Sequence, residues 1–90
     1  MNINYNNIKD TYGEEIINDI NDNIDIVKNN INYLVNLKFT DVETIFERYT
    51  LLFLYNKGDF KEKFDSLINK LGNNYVDMIE SDLSLLEELM

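Results

Sequence analysis

Ile17, Ile20, Ile24, Val27, Ile31 and Leu34 follow one another at steps of 3, 4, 3, 4 and 3 residues. That spacing fits one face of an α-helix. It does not fit a β-strand, where residues of one face alternate every second position. Pro is absent from all 90 residues, so nothing of that kind interrupts a helix. The pattern predicts a long first helix from about residue 12 to Leu37, with Ile16 and Val35 widening its apolar stripe. Glu15, Asn18, Asp22, Asp25, Asn29 and Asn36 fall on the opposite face. Thr11–Glu14 has the T-x-x-E form of a capping box and sets the expected start. The same period suits a coiled-coil seam, but so short a repeat also fits one long helix laid across a bundle, which is the expectation here. Before it, Ile3, Tyr5 and Ile8 either pack on the body or fray with the terminus.

The helical period continues downstream. Thr40–Glu43 is a second capping box with Phe39 before it as a staple residue. Val42, Ile45, Phe46, Tyr49, Leu52 and Phe53 then share one face, while Leu51, Leu54 and Tyr55 lie on the other. The second half of this helix is therefore apolar all round, which is the mark of burial on all sides. Gly58 suits the left-handed position after it. Asp59–Glu62 repeats the capping pattern ahead of Phe60, Phe64, Leu67, Ile68 and Leu71. Gly72 ends that helix, and Asn73 or Asn74 caps the next. The tail, Asn74 to Met90, is helical, either continuous or broken near Ser81–Leu83, with Ser84–Glu87 as a further capping box. The expected fold is all-α: a compact antiparallel helical bundle forming one domain over residues 1–90, with one long N-terminal helix and three or four shorter ones.

The outer side of the run Tyr49–Tyr55 needs a cover. The C-terminal helix can supply it, because Leu83, Leu85, Leu86, Leu89 and Met90 exceed what one stripe uses. The alternative cover is a partner or a second copy of the chain. A membrane is not a candidate, since the run is far short of the ~18 apolar residues that span a bilayer. The N-terminal residues lack a charged region followed by an apolar one, so a cytoplasmic location is expected. The fifteen Asn residues read as the codon bias of an AT-rich genome.

Composition removes most chemistry. There is no Cys and no His, so neither a Ser-His-Asp or Cys-His arrangement nor a zinc site can be assembled. The formal charge is −9, which disfavours direct contact with nucleic acid. Asp19 to Asn30 has some of the oxygen spacing of a calcium loop, but Ile24 stands where that loop needs Gly and Asn30 where it needs Glu. Glu43/Glu47 and Asp77/Glu80 do not complete the facing carboxylate pairs of all-α pyrophosphatases. Asp65–Ser66–Leu67 resembles the tripeptide that carries the phosphopantetheine arm in acyl carrier proteins, but here Ser66 falls in mid-helix and the flanking residues do not follow. The glycines sit at or near helix ends and form no phosphate loop. No catalytic role, cofactor or metal is expected.

Charge is distributed unevenly along the chain. Residues 1–27 carry a net −5, residues 28–72 a net +1 and residues 73–90 a net −5. Glu15, Asp19, Asp22 and Asp25 form an acidic row at helical spacing, with carboxylates ~5–6 Å apart. Such a row can steer a protein toward a basic surface. The expected function is that of a small acidic inhibitor or regulator that occupies a partner's surface. An immunity or antitoxin protein, or a phage-encoded inhibitor of a host enzyme, fits this description. The candidate contacts are Glu15, Asp19, Asp22 and Asp25 together with Leu51, Leu54 and Tyr55. The alternative is a self-associating adaptor, such as a homodimer.

Overall fold

Where the apolar pattern predicts one long helix from about residue 12 to Leu37, the chain forms two, with a further helix before them. The computed structural model describes residues 5–90, so Ile3 lies outside the described residues. These form α1 (Tyr5–Tyr12), α2 (Glu14–Asp22), α3 (Ile24–Asn36), α4 (Val42–Arg48), a 3-10 segment (Thr50–Leu54), α5 (Lys57–Leu71), α6 (Tyr75–Ser81) and a second 3-10 segment (Leu83–Leu89), with no strand among them. The fold is all-α, packed around one apolar cluster that runs from Ile8 to Leu89. The radius of gyration is 12.6 Å.

Two residues make the breaks. Gly13 adopts φ 94°, ψ 174°, a region essentially reserved for glycine. It closes α1 by donating its amide to the Lys9 carbonyl at 2.7 Å. Thr11 therefore does not cap the following helix, and its hydroxyl donates to the Asn7 carbonyl at 3.0 Å inside α1. Asn23 leaves helical geometry at φ −121°, ψ 29°. Its side chain donates to the Asp19 carbonyl at 2.9 Å, the oxygen that also accepts the Asn23 amide at 3.1 Å. Local side-chain bonds of this kind compete with the helical ladder. With the breaks in place, Ile16, Ile20, Val27, Ile31 and Leu34 are buried, and Ile17 and Ile24 are only half-buried. Val35 does not widen the stripe but is 49% exposed.

The end of α3 is a Schellman turn. The Lys38 amide donates to the Val35 carbonyl at 3.0 Å, and the Phe39 amide donates to the Leu34 carbonyl at 3.3 Å. Both Leu34 and Phe39 are buried, the apolar contact that accompanies this motif. The left-handed position is filled by Lys38 at φ 77°, where glycine is the residue without steric penalty. Asp41, one residue after the expected Thr40, caps α4 by accepting the Thr44 amide at 3.2 Å.

The apolar run does not continue α4. Thr50 is buried, and its hydroxyl donates to the Phe46 carbonyl at 2.7 Å. The chain then tightens into the 3-10 segment Thr50–Leu54. Asn30, in the middle of α3 and fully buried, donates its amide to the Phe53 and Tyr55 carbonyls, each at 2.9 Å. Two carbonyls at the end of the segment are thereby satisfied. Phe46, Phe53, Phe60 and Phe64, all without solvent exposure, stack in sequence at centroid distances of 5.1, 5.1 and 4.8 Å. This chain of rings ties α4, the 3-10 segment and α5 together.

The remaining boundaries mix agreement and correction. Asn56, not Asp59, caps α5 by accepting the Asp59 amide at 2.9 Å. Gly58 lies in the first turn of α5 and ends nothing. Gly72 closes α5 at φ 84° as expected. Asn74 occupies the cap position of α6 without a side-chain bond. The tail breaks at Asp82, which accepts the Ser84 amide at 3.2 Å and takes the role expected of Ser84. At the N-terminal end Ile8 packs rather than frays, with no exposure.

Two stability predictions follow from the backbone and from Asn30. Lys38→Gly removes left-handed strain and is expected to raise stability by about 0.5–1 kcal/mol. Gly13→Ala is expected to lower it by about 1–3 kcal/mol, although no atom lies within 4 Å of the added carbon. Asn30→Ala leaves buried carbonyls without a donor and is expected to lose about 2–4 kcal/mol. Asn30→Asp, which sets a carboxylate against those carbonyls, should lose more. Urea unfolding monitored by circular dichroism measures all four.

Candidate functional site

Helix α2 packs chiefly on α1 and α3. It buries Ile16 and Ile20 and turns Glu15, Asp19 and Asp22 outward, all three exposed. Asp25 is exposed as well but stands beyond the Asn23 break, in the first turn of α3. The row is thus three residues on one helix and a fourth on the next. Asp22 and Asp25 still flank one shallow hollow of about 250 Å³, shared with Asn23, Ile24 and Ile26. Among the described residues, none of the four carboxylates makes a salt bridge or a hydrogen bond.

The second expected face separates in the structure. Leu51 is 45% exposed, whereas Leu54 is half-buried against the core. Tyr55 is also half-buried and joins a different set of residues. With Asp59, Glu62, Lys63 and Ser66 of α5 and Glu88 and Leu89 of the C-terminal 3-10 segment, it lines an open groove of about 520 Å³. The C-terminal segment covers part of the run, as the surplus of leucines suggested: Leu86 and Leu89 are buried.

The groove has an apolar floor and a charged rim. The Lys63 ammonium stands 4.8 Å from the centre of the Tyr55 ring, a cation–π contact. Glu88, on the other wall, accepts from the Lys70 ammonium, which itself lies outside the groove lining, at 3.1 and 3.2 Å. Asp59 receives a hydrogen bond from the Asn56 amide at 2.9 Å. The sequence pattern places the C-terminal leucines over Tyr55, but not the α5 wall, which only the fold brings beside it.

Other candidates for chemistry are committed to structure. Glu80 accepts from the Thr40 hydroxyl at 2.7 Å and from the Asp41 amide at 3.2 Å, so it secures the start of α4. Asp65 accepts from the Tyr33 hydroxyl at 2.6 Å, and Ser66 lies exposed within α5. Among the described residues, no group of three or more Asp, Glu, His or Cys is placed to hold a metal ion. No helix there is long and apolar enough to cross a membrane. Comparison with family models, with curated proteins and with solved structures finds no match to this chain.

Two tyrosines resist ionisation. Burial, and then the bond to Asp65, push the Tyr33 phenol well above its ordinary value. Burial, and then the charge of Glu87, raise that of Tyr49, with Arg48 opposing. A raised folded-state value means that the stabilisation is complete below the unfolded value of about 10 and is lost as pH rises beyond it. Stability is therefore expected to fall between about pH 9 and pH 11, and less steeply in Tyr33→Phe. Urea unfolding at the two pH values checks this.

Proposed function

We propose that this protein is a small acidic binder that inhibits or regulates another protein by occupying a basic surface on it. The observation that carries this reading is the outward face of α2. Glu15, Asp19 and Asp22 stand exposed there, and Asp25 extends the row past the break. A net charge of −9 adds a long-range field that speeds encounter with a positive partner. An immunity or antitoxin role, or inhibition of a host enzyme by a phage-encoded protein, has this physical form, and neither requires catalytic groups on the binder. The alternative, a self-associating adaptor, draws on Leu51, Leu54 and Tyr55. Of these only Leu51 is strongly exposed, and an isolated exposed leucine is ordinary for a surface. The heteromeric reading is therefore preferred.

The test begins with capture of a partner on the immobilised protein and proceeds to kinetics. Asp19→Lys with Asp22→Lys is expected to slow association about tenfold at low ionic strength, with little effect on dissociation. In high salt the difference should shrink, because charges more than a Debye length apart are screened. Equal association rates for wild type and variant in dilute salt would exclude charge steering by this face.

A further inference from the structure

The groove between α5 and the C-terminal 3-10 segment has a character that the acidic row lacks. Two of its lining residues, Tyr55 and Glu88, already contact cations: Lys63 within the lining and Lys70 beside it. Lys63 sits over the Tyr55 ring at 4.8 Å, and Lys70 sits on Glu88 at 3.1 Å. Lys63 is half-buried, whereas the Lys70–Glu88 pair lies at the surface, its side chains 63% and 52% exposed. Exposed pairs of this kind are weak and cheap to displace. Leu89, buried in the groove floor, and Tyr55 provide an apolar bed beside these anionic sites. Glu62 on α5 adds an exposed carboxylate to the rim, and among the described residues it makes no salt bridge or hydrogen bond.

We propose that this groove is a binding slot for an arginine-bearing segment of the partner protein, and that Lys63 and Lys70 are placeholders for its guanidinium groups. The inference rests on the reading of the protein as a binder of a basic partner and names where that partner anchors. Chemistry favours arginine over lysine here. A planar guanidinium stacks on an aromatic face and forks onto a carboxylate at once, whereas an ammonium serves as a point charge on one partner. In the free protein, two separate lysines perform these two tasks. A volume of about 520 Å³ is within the range of pockets that enclose a ligand of several side chains. The apolar stem of the arginine, or a neighbouring aliphatic residue, lies against Tyr55 and Leu89.

The test uses the whole protein and three synthetic peptides: one with Leu and Arg at helical spacing, its Lys-for-Arg twin and its Glu-for-Arg twin. Amide and side-chain NMR signals of Tyr55, Lys63, Ser66 and Leu89 are expected to shift saturably with the Arg peptide. The Lys twin should bind more weakly, and the Glu twin not at all. Lys63→Met with Lys70→Met keeps the side-chain stems and removes the placeholders. It should tighten binding of the Arg peptide about fivefold, while Glu62→Gln with Glu88→Gln should weaken it by a similar factor. Circular dichroism establishes that each variant is folded. Unchanged or weaker binding after removal of the two lysines overturns the proposal, as does the absence of saturable shifts in the groove. Shifts confined to Asp19, Asp22 and Asp25 overturn it too, but leave the charge-steered reading standing.

Discussion

The two hydrogen bonds from Asn30 to the Phe53 and Tyr55 carbonyls are the constraint on which the rest of the fold depends. A chain that turns from α4 through a 3-10 segment into α5 leaves backbone carbonyls of Phe53 and Tyr55 turned into the protein, one buried and one part-buried. Asn30 supplies the missing donors from the middle of α3. This fixes the position of the apolar run relative to the central helix, which packs on α4, the first 3-10 segment and α5 alike. With the run in place, Phe53 falls between Phe46 and Phe60. Tyr55 is then directed toward α5, where the groove forms. The polar contact stabilises less than the surrounding apolar burial, but it selects among packings that burial alone does not distinguish.

Helix content was legible because apolar residues recur at 3 and 4 along nearly the whole chain. The C-terminal boundary of α3, the glycine stop at Gly72 and the buried set Val42, Ile45, Phe46, Phe60, Phe64 and Leu67 all follow from that period. The break at Asp82 lies in the stretch Ser81–Leu83 where the tail's pattern allowed one, but the other departures were not legible, for a physical reason in each case. Gly13 was compatible with a first helical turn, and only its backbone angles show that it lies outside one. Asn23 and Asn30 are two of fifteen asparagines, and nothing local marks one as a helix breaker and the other as a buried donor. Lys38 takes a left-handed conformation without the glycine that usually announces it. The apolar run looked helical all round because the donors from Asn30, more than twenty residues away, depend on the tertiary fold.

The candidate sites divide in the same way. The acidic row could be read from spacing, since three of its members share a two-turn helix and burial of Ile16 and Ile20 fixes which side faces out. The groove could not, because its walls come from Tyr55, from α5 and from a segment more than thirty residues away in sequence. The two sites also differ in kind. The carboxylates on α2 stand exposed on one face of a single helix. The groove brings together a ring face, an apolar floor and carboxylates contributed by separate elements.

The placement of Asn30 has a further consequence for the lifetime of the protein. Asparagine side chains hydrolyse slowly to carboxylates by attack of the following backbone nitrogen, a reaction that requires the chain to bend out of helical geometry. Within α3, with no exposure and both amide hydrogens engaged, Asn30 is held away from that path as long as the protein stays folded. An unfolding event removes the protection. A molecule that deamidates while open returns to a core now carrying a buried negative charge against two carbonyl oxygens. Chemical ageing at this one residue thereby converts a reversible opening into a permanent loss, and sets a clock that runs only in the unfolded state.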